Sequence, residues 1–128
     1  ALVCAWKAKF KFGRRTPSQV DAGIKQIVPI AGDLPSYPSE HAAVARASAE
    51  VLKYLFPADS AQIEEKVGVH LDSRVCAGAN VRSEVRAADS LGRMVAAQII
   101  AYAKTDNANK GGGDAAYWTK PSNFTDPV

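Results

Sequence analysis

Three clusters of basic and polar residues in this chain carry the side chains that an oxyanion site needs. They span Lys7 to Pro17, Pro38 to His41 and Ser73 to Glu84. Lysine and arginine supply positive charge, and the planar guanidinium group of arginine also presents a fork of donors that fits the oxygens of a tetrahedral anion. Each cluster lies at or beside the end of a predicted helix, so a helical bundle can bring the three together. The sequence therefore predicts a site for phosphate or a phosphate-like anion.

The second cluster combines a helix start with an imidazole. Pro35 and Pro38 hold the backbone extended up to Ser39, because proline fixes φ and disfavours the α region for the residue before it. Alanine and valine follow at helical spacing from Glu40, which predicts an N-cap at Ser39. The free amides of the first turn favour an anion, and His41 supplies a proton near neutral pH. The alternative is a capped helix with one half-exposed histidine.

The other candidates each have a simpler interpretation as well. Arg74 either binds the oxyanion or forms a salt bridge, for instance with Glu84. Lys9 belongs either to the site or to the solvated face of an amphipathic helix, where lysines surround it. Asn80 either takes part in the site or only hydrogen-bonds the neighbouring chain. Glu84 is also explained as an acidic residue in the first turn of a helix.

The elements that must position these clusters are helices. Residues 1 to about 12 carry apolar side chains at helical spacing, and Gly13 ends that pattern. Ser18 is predicted to cap a short second helix that runs through about Ile27. Residues 28–38 contain three prolines and a glycine, which predicts a connecting loop.

Two further helices follow the loop. Residues 40–56 form the first of them, which Pro57 stops, and its alanine-rich face suits close contact between helices. Asp59 or Ser60 is predicted to cap the next helix, which continues into the third polar cluster. Gly78 then breaks the helical pattern.

The last predicted helix is long and leads into a different composition. Ser83 is predicted to cap it, it ends near Thr105, and Gly92 allows a close crossing with a neighbouring helix. No alternation of period two persists along the chain, so we expect an all-α bundle of four to six helices. Residues 1–105 then form the helical domain, and residues 106–128 form a tail that contains glycine and proline.

Composition narrows the class of protein. The chain has 128 residues, enough for one core, and a net charge of +3, which is too mild to predict binding to nucleic acid or to a membrane surface. No apolar run approaches the roughly 20 residues that span a bilayer. Cys4 and Cys76 are too far apart in sequence for a metal motif, so no metal site is predicted. We expect buried free thiols, with a disulfide as the alternative if the protein is exported.

The order and spacing of the three clusters resemble one enzyme superfamily. It joins the type-2 phosphatidic acid phosphatases, the bacterial non-specific acid phosphatases and the vanadium haloperoxidases. The stretch from Tyr37 to Ala43, Tyr-Pro-Ser-Glu-His-Ala-Ala, is similar to the second motif of that superfamily. Ser73-Arg74, five residues, Asn80, three residues and Glu84 have the spacing of its third motif. The resemblance covers roughly residues 5 to 104 and is closest to the soluble bacterial branch.

The resemblance implies a helical bundle with a pocket for phosphate, or for vanadate as its structural mimic. It assigns oxyanion binding to Lys9, Ser39, the amide of Glu40 and Arg74, and the role of general acid to His41. In the superfamily a second histidine stands at the position of Asn80, as the nucleophile of phosphatases and the vanadium ligand of peroxidases. An acidic residue at the position of Glu84 orients that histidine.

Three departures from the superfamily pattern bear on the expected activity. Asn80 replaces the nucleophilic histidine, and an amide nitrogen is neither a nucleophile nor a usual metal ligand. Glu40 replaces a glycine and places a carboxylate beside a site meant for an anion. The first motif fits in two registers. Lys9, Thr16 and Pro17 keep the proline and lose the arginine, whereas Lys7, Arg14 and Arg15 keep the arginine and lose the proline. In the first register Arg14 or Arg15 can still reach the pocket from the same turn.

Three functions follow from this sequence. The first is a phosphoester hydrolase of the acid phosphatase type that needs no cofactor and is impaired by the loss of the nucleophile. The second is a vanadate-dependent haloperoxidase, and the third is a non-catalytic oxyanion-binding or structural helical subunit. His70 lies outside the motif and is not predicted to replace the nucleophile.

The apolar start of the chain favours a piece of a longer protein, so we expect a partner chain or further helices to complete the bundle. The sequence does not predict the compartment, and a soluble periplasmic or secreted protein is compatible with it.

Overall fold

The computed structural model describes residues 1–27 and 34–106 of the chain, and in these ranges every regular element is a helix. The prediction of an all-α fold is therefore confirmed. The predicted tail after residue 106 and residues 28–33 of the predicted loop lie outside the described residues. The helices are α1 (Leu2–Phe12), α2 (Pro17–Val20), α3 (Glu40–Leu55), α4 (Ser60–Cys76) and α5 (Arg82–Ala103), with a 3₁₀ turn (Pro57–Asp59) between α3 and α4.

Several helix ends lie where local sequence predicts them. Gly13 ends α1 in the left-handed conformation, with φ +58°, and its N–H donates to the carbonyl of Lys9 at 2.8 Å. Ser39 is the N-cap of α3, and its hydroxyl accepts a hydrogen bond from the amide of Ala42. The helix ends one residue earlier than predicted, and Pro57 begins the 3₁₀ turn instead of continuing it.

The prediction for the second helix was wrong at both ends. Thr16, not Ser18, is the N-cap of α2, and the helix ends at Val20 instead of near Ile27. Pro17 explains the start, because proline suits the first helical position, where its missing N–H costs nothing. The chain leaves the helix at Asp21, whose carboxylate accepts from the amide of Gly23 at 2.8 Å in a local turn.

The cap of α5 also differs from the prediction. Val81 occupies the N-cap position, and Ser83 lies within the first turn. The side chain of Glu84 reaches back to accept a hydrogen bond from the amide of Val81 at 3.1 Å. A glutamate at the third helical position satisfies the amide of the N-cap residue in this way, as in the second half of a capping box. The helix ends at Ala103, close to the predicted end.

Helix α3 is the centre of the fold and contacts α1, α4 and α5. Its crossing with α5 is close because α5 carries Gly92 there, as predicted. A Cβ atom at that position would lie 2.6 Å from the carbonyl oxygen of Ala43 and 2.8 Å from the Cβ of Arg46. The core is built from small side chains, which permits this spacing. Its buried members are Ala5, Ala42, Ala43, Val85 and Ala88, packed against Leu71, Val75 and Leu91.

A charged network ties α3, α4 and α5 together around Arg46. The Arg46 side chain is only 4% exposed, and its guanidinium contacts Asp89, Glu50 and Glu64, the last at 2.8 Å. Lys53 also contacts Glu64 at 2.8 Å. Burial opposes the charge of Arg46, but hydrogen bonds to Glu64 and Asp89 raise its pKa above the ordinary value. The same contacts, from Arg46 and then Lys53, lower the pKa of Glu64 to about 2.

Large apolar side chains lie on the outer faces of these helices. Val44, Leu52 and Ile99 are exposed and line an apolar groove of about 540 Å³ between α3, α5 and the start of α1. In the described part of the chain, no helix combines the length and apolar character needed to cross a bilayer.

Cys4 and Cys76 are free thiols, but both are exposed, so the expectation of burial was wrong. The buried side chains of α1 are those of Lys9 and of Ala5, the neighbour of Cys4.

Candidate functional site

A small cavity lies where α1, α3, the end of α4 and the loop before α3 meet. Its volume is about 30 Å³, which is room for roughly two water molecules. The cavity therefore holds no tetrahedral anion unless a side chain moves. Its walls are formed by Trp6, Lys9, Thr16, Leu34, Pro35, Ser36, Glu40, Arg74, Ala79 and Asn80.

Lys9 is a buried cation rather than part of a solvated face. Its side chain is 4% exposed and points into the bundle from α1. The ammonium donates to the carbonyl oxygen of Pro35 at 2.5 Å and lies 2.7 Å from Oε2 of Glu40. A buried ammonium needs such partners, because desolvation without them costs several kcal/mol.

Glu40 places its carboxylate between two cationic or ionisable groups. One oxygen contacts Lys9, and the other lies 2.9 Å from Nδ1 of His41. Burial raises the pKa of this carboxyl. The hydrogen bond from Lys9, the hydrogen bond from its own backbone amide and the nearby charges of Lys9 and His41 together lower the pKa by more than burial raises it. The net result is a pKa below the ordinary value, so Glu40 is an anion at neutral pH. This carboxylate occupies space beside Lys9 that an external anion would need.

Arg74 supplies a buried donor for which the described residues provide no acceptor. It lies in the last turn of α4 and lines the cavity. Its Nε is buried and finds no hydrogen-bond partner within residues 1–27 and 34–106. Nor does the described structure pair Arg74 with Glu84, the salt bridge considered as the alternative. Unpaired buried donors are rare in proteins and each needs an explanation, such as a ligand or a bound water.

The turn after α4 returns the chain over Arg74. Gly78 adopts φ +67°, a conformation in which only glycine is free of strain, and a Cβ there would lie 2.9 Å from the carbonyl oxygen of Lys25. The amides of Ala79 and Asn80 then donate to the carbonyl of Arg74 at 3.1 and 3.2 Å. This turn fixes Asn80 at the wall of the cavity.

Asn80 uses its amide group to hold neighbouring chain segments in place. Its side-chain nitrogen donates to the carbonyl of Ser36 at 3.0 Å and to Oε2 of Glu84 at 3.1 Å. Both N–H groups of the amide are therefore engaged, and the nitrogen has no lone pair to offer. A vanadate ion held through a protein nitrogen at this position does not fit the residues present.

Glu84 lies behind the cavity and is 1% exposed. Its carboxylate accepts from Asn80 and from the amide of Val81, and its other oxygen lies 3.4 Å from Nε of Arg14. The Arg14 side chain is half exposed and extends over the ring of Tyr37 at 5.9 Å. The buried carboxylate therefore has a counter-charge, as a buried anion requires.

Sequence reasoning missed Ser36, whose hydroxyl lies between the turn after α1 and Glu84 of α5. It is buried, and its hydroxyl lies 2.7 Å from Oε1 of Glu84 and 2.9 Å from the carbonyl of Arg15, either of which can accept its single proton. Its amide donates to the carbonyl of Arg14 at 2.8 Å. A serine between two prolines signals an ordered turn, but no local pattern predicts these partners.

Five predicted site residues do not line the cavity: Arg14 and Glu84, described above, and Ser39, Arg15 and His41. Ser39 is fully buried, and its hydroxyl serves as the helix cap. Arg15 is exposed and contributes only its carbonyl to the contacts described. His41 is about half exposed and faces a larger apolar cavity of about 540 Å³ that is also lined by His70. Glu40 stands between His41 and Lys9.

The charges around the cavity leave one cation unmatched. Lys9 is paired with Glu40, and Glu84 is paired with Arg14. Only Arg74 faces the cavity without an anionic partner in the described structure. The described residues contain no group of three or more histidine, cysteine or acidic side chains that could hold a metal ion. An arginine without an anionic partner beside a cavity favours an anion as the ligand.

No family model matches this chain, and no curated protein matches it either.

Proposed function

We propose that this cavity is the oxyanion site of a phosphoester hydrolase-like helical domain that binds phosphate but has lost covalent turnover. The observation that carries the proposal is that Arg74 lines the cavity and that its buried Nε has no hydrogen-bond partner in the described structure. Lys9 and Arg74 supply the two cations that a phosphate group needs. The resemblance of the sequence to acid phosphatases supports the same ligand class.

Binding requires the Glu40 side chain to move. The carboxylate fills the position beside Lys9, and the free cavity of about 30 Å³ is too small for four oxygens. The Glu40 side chain is 23% exposed, so rotation toward solvent leads it out of the site without disturbing the core. The anion then accepts hydrogen bonds from Lys9 and Arg74.

Turnover through a phosphorylated histidine has no nucleophile among the described residues that line this cavity. The amide of Asn80 donates to Ser36 and Glu84, and the hydroxyl of Ser39 caps α3. His41 can donate a proton only from the far side of Glu40. We therefore assign this chain anion binding, with hydrolysis slow or absent, and place the haloperoxidase function second because vanadate lacks its nitrogen ligand.

The experiment is a calorimetric titration of inorganic phosphate and of orthovanadate into the full chain. We expect saturable binding that weakens about tenfold or more in Arg74→Gln, because a hydrogen bond to a charged group contributes about 1.5–3 kcal/mol. Arg86→Gln is the matched control, since Arg86 is an exposed arginine on α5 that does not line this cavity. Circular dichroism checks that each variant is folded.

A second arm tests the loss of turnover. Wild-type protein and Asn80→His are assayed with an aryl phosphate, and we expect hydrolysis only in the variant. Wild-type hydrolysis above that of Arg74→Gln would contradict the loss of turnover. Absence of phosphate and vanadate binding to folded wild-type protein would contradict the oxyanion site itself.

A further inference from the structure

We infer that the site selects oxyanions that carry a single negative charge and that Glu40 imposes this selection. The inference rests on the proposed oxyanion site and names its ligand class. Monoesters of sulfate, phosphodiesters and protonated phosphate belong to this class, whereas sulfate and fully ionised phosphate monoesters bind more weakly. The superfamily pattern has glycine at this position, so the selection is a property of this chain.

The first step of the argument is the charge of the residues that face the ligand. Lys9 and Arg74 are cations, and Glu40 is an anion within 2.7 Å of Lys9. Glu84 is matched by Arg14 and does not line the cavity. The walls of the cavity therefore carry one net positive charge, which a monoanion neutralises. A dianion would leave one uncompensated negative charge in a partly buried site, where charges interact more strongly than in water.

The second step is that Glu40 stays close even after it moves. It is the first residue of α3, and its backbone is held by the cap at Ser39 and by the packing of α3. Rotation of the side chain moves the carboxylate toward His41, which already contacts it at 2.9 Å. A ligand between Lys9 and Arg74 therefore remains within a few ångströms of a carboxylate. A like charge at that distance disfavours the additional negative charge of a dianion, and we expect its effect on anion binding to be about tenfold or more.

The third step separates this effect from simple steric competition. A carboxylate that merely fills space would weaken all anions of one size equally. A charge effect weakens the dianion more than the monoanion. Methanesulfonate and sulfate have nearly the same size and tetrahedral shape, and neither changes its charge between pH 5 and 9. The two probes differ in one unit of charge and in a methyl group that replaces one oxygen, and comparison of wild type with Glu40→Gln isolates the effect of the charge.

The experiment titrates sodium methanesulfonate and sodium sulfate into the full chain at constant ionic strength. For the wild type we expect methanesulfonate to bind about tenfold more tightly than sulfate. In Glu40→Gln, which keeps the size of the side chain and removes its charge, we expect sulfate binding to gain at least tenfold more than methanesulfonate binding. Glu65→Gln is the control, because it makes the same change in net charge at an exposed residue of α4 away from the cavity.

The outcomes distinguish the inference from the proposed function. Sulfate that binds the wild type as tightly as methanesulfonate, or an equal gain of both anions in Glu40→Gln, would overturn the charge selection and leave the oxyanion site intact. The same gain in Glu65→Gln would show an effect of net charge and would also overturn it. If neither anion binds wild type or Glu40→Gln, the oxyanion site fails and the selection fails with it.

Discussion

The ammonium nitrogen of Lys9 lies 2.7 Å from Oε2 of Glu40, so a buried cation of α1 is held against the first residue of α3. This contact both closes the cavity and joins two helices that are distant in sequence. Its strength decides how readily the site opens.

The Lys9–Glu40 pair leads to a prediction for stability. Lys9→Met leaves the Glu40 carboxylate without its nearest cation and the carbonyl of Pro35 without its donor. We expect the free energy of unfolding to fall by about 1–3 kcal/mol, the cost of unsatisfied polar groups. Urea unfolding measures the change, with Lys7→Met on the exposed face of α1 as the control. Adding Glu40→Gln to Lys9→Met is expected to restore part of the loss. Equal effects of Lys9→Met and Lys7→Met would show that the contact contributes nothing.

The crossing of α3 and α5 predicts a strict requirement for glycine at residue 92. In Gly92→Ala the new Cβ meets the carbonyl of Ala43 at 2.6 Å, so the helices must move apart. We expect a loss of about 1–3 kcal/mol, as for other overpacked cores, measured by thermal or urea unfolding. Gly68→Ala is the control, because nothing lies within 4 Å of a Cβ at that position in α4. There alanine is expected to stabilise by up to about 1 kcal/mol through its higher helix propensity. A Gly92→Ala protein as stable as the wild type would contradict the close crossing.

The carboxyl group of Glu64 predicts a dependence of stability on acid pH. Its pKa is lowered from 4.5 to about 2 by hydrogen bonds from Arg46 and Lys53. Because the folded-state pKa lies below the unfolded one, the unfolded chain takes up the proton first as pH falls. The stabilisation is therefore full above about pH 4.5 and is lost between there and about pH 2. The side chain is 44% exposed, so solvent screening reduces the effect.

Urea unfolding at several pH values between 2 and 7 tests the role of Glu64. We expect stability to fall less steeply below pH 4.5 in Glu64→Gln than in the wild type. The neighbouring Glu65→Gln is the control and is expected to keep the wild-type slope. Parallel profiles for the wild type and Glu64→Gln would show that the ion pairs do not carry the acid dependence.

The apolar outer faces predict association. Val44, Leu52 and Ile99 line an exposed groove beside α3, and burying such surfaces is favourable. We expect the 128-residue chain to form concentration-dependent oligomers in sedimentation velocity, and Leu52→Glu to weaken them. Leu55→Glu is the control, since Leu55 is exposed outside the groove. A folded monomer at all concentrations would contradict our expectation that a partner chain or further helices complete the bundle.

Most of the helix boundaries could be predicted from the sequence because they depend on local chemistry. The cap at Ser39, the stop at Pro57 and the breaks at Gly13 and Gly78 depend on the φ preferences and hydrogen-bonding groups of neighbouring residues. The starts of two helices were predicted wrongly because a neighbouring residue determined the cap instead of the predicted serine. Pro17 made Thr16 the cap, and Glu84 capped α5 from within its first turn.

The candidate site was predicted as a set of residues but not as an arrangement. The sequence placed Lys9, Glu40, Arg74 and Asn80 near helix ends, which is where the structure brings them to one cavity. It did not predict the burial of Lys9 or the hydrogen bonds of Ser36 to Glu84 and to the chain at Arg14 and Arg15. Arg46 was missed, although a cation on the alanine-rich face of α3 is a signal that its partners lie on other helices.

The sequence by itself determined the all-helical fold, the main breaks between helices and the close approach permitted by Gly92, because these follow from local backbone preferences and side-chain size. Only the tertiary structure decided that Glu40 fills the space beside Lys9 and that both N–H groups of the Asn80 amide donate to Ser36 and Glu84. It also decided that the buried Nε of Arg74 has no hydrogen-bond partner among the described residues. Hydrogen bonds and ion pairs between distant residues depend on distances of a few tenths of an ångström, and only the packing of whole helices sets those distances.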